Sequence, residues 1–311
     1  MVIQKSILSI FLSLMIIAVA AQQLTLQERL GYSRETKLVI LHADDIGLAH
    51  AQNMATIYAM ENGSVNSGSI MVPSPWFFEI ASYAKAHPAA DFGLHLTLTS
   101  EWSLYKWGPV SARREVPGLV TDMGYFHNNN AAVVKNASPQ EVEIELRSQI
   151  ERALKFGIDV THLDTHMFCG VVDPGFLSAV VKLGHEYKVP VLLNHESMKK
   201  WLDIDLKNSV AKNELMVDNL YMAFPEDYAK GMENFYTGVL KSVKPGLSCI
   251  LMHTAYDGQE LRGVTGDNIG YGAAWRQDDF NFFTSSACKK LIAEEKITLI
   301  TWREIRDKLL R

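Results

Sequence analysis

Leu38-Val39-Ile40-Leu41-His42-Ala43-Asp44-Asp45 is the stretch on which the reading of this chain turns. A short apolar run bounded by polar residues is the mark of a strand buried on both faces, as in a parallel sheet. Here Leu38 to Leu41 reads as strand, and it ends in an imidazole and two carboxylates. The same pattern recurs outward from it. Ser69 to Val72, Phe92 to Leu98, Thr161 to His166, Val191 to Leu193, Cys249 to Met252 and Ile297 to Thr301 read as further strands. Helical stretches alternate with them: Gln52 to Asn62, stopped by Gly63, then Trp76 to Ala86, Pro174 to Tyr187, Glu226 to Val243, Asp279 to Glu295 and Arg303 to Leu310. Ser138-Pro139-Gln140-Glu141 opens one more, with Ser138 as cap and Pro139 in the first turn. Its apolar positions Val142, Leu146, Ile150 and Leu154 keep helical spacing. Residues 196 to 224 carry no pattern that assigns them. Strand–helix alternation of this kind predicts an α/β fold with a mostly parallel sheet.

In such folds chemistry gathers at the C-terminal edge of the strands. The polar clusters fall at those ends: Asp44 and Asp45, His95, Asp164 and His166, and His253. Two long irregular stretches accompany them. Residues 100 to 137 hold Trp102, Trp107, Pro109, Pro117 and the Asn128-Asn129-Asn130 run, and residues 256 to 275 are rich in glycine. Long loops inside a compact domain are often functional, and both are read as loops over the strand ends.

The chain has 311 residues, 48% of them hydrophobic, enough to bury a large core in one domain. Its net charge of -5 offers no basic footprint for nucleic acid and does not favour an anionic polymer. Lys5, the apolar run Ser6 to Val19 and the small residues Ala18, Ala20 and Ala21 make the three-part pattern of a secretory signal. The run is short for a membrane span, though an uncleaved anchor is the alternative. Residues 1 to 22 are therefore expected to be a signal peptide and 23 to 311 one domain, exported to a periplasm or secreted, with no stable membrane insertion after cleavage. Cys169, Cys249 and Cys288 are odd in number and widely spaced, which fits buried thiols, or one oxidised pair, better than a disulfide scaffold.

Adjacent carboxylates on extended backbone face different ways, so one of Asp44 and Asp45 can bind a metal while the other faces a substrate. The bland alternative is that Asp45 caps the following helix. His95 stands in Gly93-Leu94-His95-Leu96-Thr97-Leu98-Thr99, and a lone strand histidine is more often structural than ligating. Thr161-His162-Leu163-Asp164-Thr165-His166 is stronger, because His162, Asp164 and His166 share one face of an extended chain. Imidazoles and a carboxylate suit zinc and related ions, and an acid beside a ligating histidine can orient its ring. His253 follows Cys249 to Met252 and can serve as a proton donor, or be an ordinary loop histidine. One carboxylate and two imidazoles around a metal leave room for water and a carbonyl oxygen, which suits amide hydrolysis. The chain has no G-x-S-x-G, P-loop, G-x-G-x-x-G or H-E-x-x-H motif.

With these residues in order, the sequence resembles the YdjC-like carbohydrate deacetylases, a family that includes chitooligosaccharide deacetylases. Leu41 to Gly47, Gly93 to Thr99, Thr161 to His166, Leu251-Met252-His253 and Ile297 to Trp302 carry the resemblance, which spans about 38 to 308. It implies a distorted, TIM-like (β/α) barrel. It implies that Asp45, His95 and His166 bind one divalent ion, magnesium or zinc, that Asp44 is the general base and, more loosely, that His253 assists as acid. His162 and Asp164 would then support the ligands from behind. The implied activity is removal of N-acetyl groups from an amino sugar or oligosaccharide. On that reading Trp102, Trp107 and Tyr125 would stack on sugar rings, unless they pack the loop down. One departure stands out: relatives continue the fourth-strand motif with further histidines, whereas this chain has Met167-Phe168-Cys169. Hydrolysis of another ester or amide bond, and glycan binding without turnover, remain alternative readings. The particular sugar, the metal and any homo-oligomer are left open.

Overall fold

A computed structural model describes residues 24–206, 210–211, 214–266 and 270–311. The expected signal segment, residues 1 to 22, lies outside them. Among the described residues, seven parallel strands form one sheet: β1 (Lys37–Ile46), β2 (Ser67–Ile70), β3 (Phe92–Leu96), β4 (Leu163–Thr165), β5 (Asn219–Tyr221), β6 (Gly246–Met252) and β7 (Ile297–Leu299). Their order is β4-β3-β2-β1-β6-β5, with β7 also on β1. β1 pairs with β6 from Lys37 to Ala43 along one side. Its other side is shared in sequence by β7, at Lys37 to Val39, and by β2, from His42 onward.

The sheet curls into a half-barrel wrapped by helices. A contact across it makes the curl concrete: His42 on β1 reaches Asp164 on β4, 3.1 Å away, although β2 and β3 lie between them in the sheet. Alternation along β1 divides its side chains accordingly. Leu38 and Ile40 belong to the larger apolar cluster, while Val39, Leu41 and Ala43 pack on Ala59, Tyr236, Val239 and Leu240 of the outer helices. Both faces are thus buried, as the continuous apolar run requires.

The strand is longer than Leu38 to Leu41: His42, Ala43, Asp44 and Asp45 lie inside it. Its register with β2 shifts between Ala43 and Ile46, and Asp45 takes a left-handed φ of 58°. Aspartate tolerates that region better than most side chains, though at a cost of about 1–2 kcal/mol. This bulge undoes the simple alternation by which the two carboxylates would face apart. It also removes the capping alternative, because the helix His50–Asn62 is preceded by Ala49 rather than by Asp45.

Other expectations need correction. Val191 makes a single bridge to Leu163 rather than a strand. The chain leaves the sheet there because Asn194 caps the helix His195–Leu202, its side chain accepting from Ser197 N. The fifth strand is instead Asn219–Tyr221, inside the stretch that had no assignment. Thr161 to His166 is strand only over Leu163–Thr165, and His166 opens a tight turn. The helix read over Glu226 to Val243 breaks at Gly231, whose φ is 96°, into Pro225–Tyr228 and Met232–Ser242. The one read over Asp279 to Glu295 is two, Ala273–Thr284 and Ser286–Glu294, because Ser285 caps the second through Cys288 N. The helix Pro139–Lys155 has the expected Ser138 cap, completed by Glu141 as a reciprocal capping box.

The stretch from 100 to 137 is irregular apart from a turn at Pro117–Leu119 and a short helix, Asn130–Asn136. It is nevertheless pinned. Glu145 in the helix Pro139–Lys155 accepts from Val110 N and Ser111 N, both at 2.9 Å. Cys169, Cys249 and Cys288 are free thiols, all buried.

Candidate active site

A cavity of about 440 Å³ opens at the carboxyl edge of the strands. Asp44, Asp45, His95, Asp164, His166 and His253 all line it. β1 brings the two aspartates, β3 His95, β4 Asp164 with His166 just past its end, and β6 leads into His253. Because of the bulge, both aspartates face this one space.

Asp45 sits at the centre. Its Oδ1 is 3.0 Å from His166 Nδ1 and 3.3 Å from His95 Nε2. Its Oδ2 is 2.7 Å from Arg276 Nη2. Asp44 lies to one side, its Oδ1 3.2 Å from His253 Nε2 and its Oδ2 3.9 Å from His95 Nε2. Asp164 stands behind His95: Oδ1 is 3.1 Å from His95 Nδ1, close enough for attraction but off the line of a hydrogen bond. Its Oδ2 accepts from Ser69 Oγ at 3.0 Å and meets His42 Nε2 at 3.1 Å.

The charges follow from these contacts. Burial alone would raise Asp45, but Arg276, His166 and His95 together hold it well below the usual carboxylate range. Burial likewise opposes charge on His95, yet Asp164, Asp45 and Asp44 carry it well above an ordinary imidazole. His166 is pushed up to about 9, with Glu101 and Asp45 overcoming its burial. His253 goes the other way: burial lowers it, Arg276 adds to that, and Asp44 only partly offsets them. Asp279, fully buried, is raised to about 7 by desolvation, and it holds the His253 backbone N–H at 2.9 Å.

Asp45, His95 and His166 each offer a ligand atom within 4.8 Å of the others, and all three are buried. One carboxylate with two imidazoles is a donor set that fits zinc and related divalent ions. Asp44 Oδ1 is buried and, although His253 Nε2 stands 3.2 Å away, accepts no well-aligned hydrogen bond from the described residues, as a carboxylate kept for a substrate-side role would.

Not every expected residue lies in the cavity. His162 shares the inward face with Asp164 and His166 but sits deeper, stacked on Trp302 with ring centroids 5.2 Å apart. Trp102 lines the cavity. Trp107 is buried behind His166, edge-on at 6.3 Å, and packs the loop down. Tyr125 is 40% exposed, in a turn where its carbonyl accepts from Thr121 N, and lies outside the cavity. Met167 and Phe168, which replace the expected histidines, form part of the apolar wall with Leu192, Met222 and Leu251. In the glycine-rich loop, Gly270 and Tyr271 reach the cavity, and residues 267–269 lie outside the described residues.

Glu101, Arg276 and the supporting His42, Tyr271 and Asp279 were missed by sequence reasoning. His42 stood in a quoted motif, yet its neighbours gave it no role. Arg276 comes from a helix, so no strand-end pattern points to it.

Fold and site together define a half-barrel α/β protein with a buried aspartate–histidine centre at the carboxyl edge of its sheet. The chain belongs to the YdjC-like protein family, whose model matches residues 38–294. It is 31% identical over 291 residues to a carbohydrate deacetylase of Thermus thermophilus, covering 91% of this chain and 99% of that one. It is 28% identical over 266 residues to a carbohydrate deacetylase of Thermoanaerobacter pseudethanolicus, covering 86% and 98%. A crystal structure from Enterococcus faecalis, of a protein named for cellobiose-phosphate cleavage, shares the fold: TM-score 0.73 at 24% identity, over 87% of this chain and 99% of that one.

Proposed function

We propose that this chain is a divalent-metal-dependent hydrolase that removes N-acetyl groups from an amino sugar or oligosaccharide. The observation that carries the metal reading is the charge balance of the cavity. Among the described residues, Asp44, Asp45, Glu101 and Asp164 line it against one permanent cation, Arg276, and that cation is already committed to Asp45. The upward shifts of His95 and His166 express the same pull for positive charge. The curated relatives named carbohydrate deacetylases support the choice of bond and substrate class.

Asp45, His95 and His166 would hold the ion. When bound, it supplies Lewis-acid polarisation of the acetyl carbonyl and makes a neighbouring water more acidic. Asp44 accepts a proton from the attacking water as the C–O bond forms. His253 Nε2, 3.2 Å from Asp44 Oδ1, takes that proton on and gives it to the sugar nitrogen as the C–N bond breaks. The depressed affinity of His253 for a proton makes its imidazolium a stronger acid toward the leaving amine. Arg276 keeps Asp45 anionic, and Asp164 keeps the His95 ring turned toward the centre. Free acetate and a free amine are the products.

The test is acetate release from a panel of N- and O-acetylated sugars, with and without a chelator. Chelator-sensitive release from an N-acetyl sugar is expected. Release confined to O-acetyl esters would move the reading to another bond, and no release with metal bound would favour glycan binding alone.

The chain is also proposed to be exported, on the strength of Lys5 and the apolar run Ser6 to Val19. Recovery outside the cytoplasm of a protein beginning near residue 23 is expected. Full-length protein confined to the cytoplasm would refute it.

A further inference from the structure

We infer that Glu101 is a positioning residue for His166: its carboxylate holds the Nε2 proton of that imidazole, so that Nδ1 is the nitrogen left for a cation. The inference rests on the metal reading above and extends it to a residue that belongs to no recognised motif. His166 lies between two carboxylates. Its Nδ1 is 3.0 Å from Asp45 Oδ1 and its Nε2 is 2.9 Å from Glu101 Oε2. His95 Nε2 approaches that same Asp45 oxygen at 3.3 Å. The Nδ1 edge therefore faces the centre and the Nε2 edge faces the loop. A carboxylate only accepts, so with no cation present both ring nitrogens donate, Nδ1 to Asp45 and Nε2 to Glu101. A cation held at the centre displaces the Nδ1 proton, and Glu101 keeps the one on Nε2. A carboxylate behind a ligating imidazole also fixes the ring's orientation and raises its basicity.

The backbone that carries Glu101 is fixed on both sides. Ser100 N donates to His127 O at 2.8 Å, and Ser100 O accepts from Lys106 Nζ at 2.6 Å. Trp107 N donates to Ser100 Oγ at 3.1 Å. Tyr105 OH donates to Leu48 O at 2.8 Å, which ties the loop to the chain just past the two aspartates. The Glu101 side chain is only 18% exposed. It is held at His166 by a built loop rather than resting there as a rim side chain. β3 and its continuation thus supply both a candidate ligand, His95, and the support for a second one on another strand.

The test uses the full chain as wild type, Glu101→Ala and Glu101→Gln. Calorimetric titration with Zn²⁺ is expected to show affinity lowered about 10–100-fold in Glu101→Ala, with Glu101→Gln in between because its amide oxygen still accepts. The His166 Nε2 proton, assigned by its loss in His166→Ala, should be protected from solvent exchange in wild type and unprotected in Glu101→Ala. The Co²⁺ ligand-field spectrum should be unchanged in Glu101→Gln. Equal Zn²⁺ affinity and an equally protected Nε2 proton in Glu101→Ala would overturn the inference. So would a shifted Co²⁺ spectrum in Glu101→Gln, because Glu101 would then be a ligand itself. Wild-type protein that binds no divalent ion would sink the metal reading, and the exchange measurement would still decide whether Glu101 holds His166.

Discussion

Arg276 and Asp45 form a buried ion pair, Nη2 to Oδ2 at 2.7 Å, that ties a late helix to the first strand. Two further donors of Arg276 are used, Nη1 on Gln52 Oε1 at 3.0 Å and Nε on Tyr271 O at 2.7 Å. Removing one partner of a buried pair strands the other and costs about 3–5 kcal/mol. Arg276→Met is expected to lose about that much in urea unfolding. Arg276→Lys should lose less, since it keeps the charge but not the fork that reaches three acceptors. If Asp45 faces a metal through its other oxygen, added Zn²⁺ should narrow the Arg276→Met deficit. Unchanged stability in that variant would mean that Asp45 does not depend on the guanidinium.

The two aspartates are adjacent in sequence but differ in their neighbours. Asp45 meets both candidate ligand imidazoles, whereas Asp44 meets His253. Asp44→Asn is expected to lower acetate release by at least about 10²-fold, the scale of a lost general base, while metal stays bound. Asp45→Asn and His166→Ala should lose metal. Metal content and acetate release, measured on the same preparations, check this. Metal lost from Asp44→Asn but kept by Asp45→Asn would reverse the assignment.

Gly93 makes room for a ring. A Cβ there would come within 2.4 Å of the His162 imidazole, which is fully buried against Trp302 and edge-on to His42 at 4.9 Å. That ring is wholly buried and its Nδ1 meets Thr161 Oγ1 at 2.9 Å, so moving it aside disturbs contacts on several sides. Gly93→Ala is expected to cost about 1–3 kcal/mol, the usual scale of overpacking. Gly93→Ala combined with His162→Ala should recover part of the loss. Thermal or urea unfolding of the single and double variants is the measurement. No recovery in the double variant would place the strain elsewhere.

These relationships also show where sequence reading reaches and where it stops. The apolar run at Leu38 to Leu41 announces a strand buried on both faces, because burial acts on residues next to one another. The convergence of Asp44 and Asp45 depends on one left-handed residue in a bulge, which is a matter of tertiary register and leaves no periodic trace. Val191 to Leu193 has the composition of a strand, but the Asn194 cap takes the chain into a helix. Asn219–Tyr221 is the reverse case, a strand too short and too mixed to show alternation. Site residues on strands were legible because the strand edge collects them. Arg276 and Glu101 reach the same space from a helix and a loop, where spacing along the chain says nothing about proximity.

Asp159 supplies a test of the closing contacts of the fold under acid. Its carboxylate takes Arg303 and Arg306, from the final helix Trp302–Leu309, so the chain end is latched to the segment before β4. Burial would raise Asp159, but Arg306 and Arg303 overcome it and hold the group at about 2, below its ordinary 3.8. A carboxyl depressed in the folded state stabilises fully above its unfolded value, and that contribution is lost as pH falls through the folded one. Wild type should therefore exceed Asp159→Asn in stability by a constant margin above about pH 5. The margin should shrink between 3.8 and about 2. The carboxylate is 40% exposed, so added salt should reduce the margin as well. Paired melting curves from pH 6 downward read it directly, because taking the difference between the two proteins cancels the titration of every other carboxyl. A margin that stayed flat down to pH 2 would show that the latch is held by packing of the helix and not by the charge on Asp159.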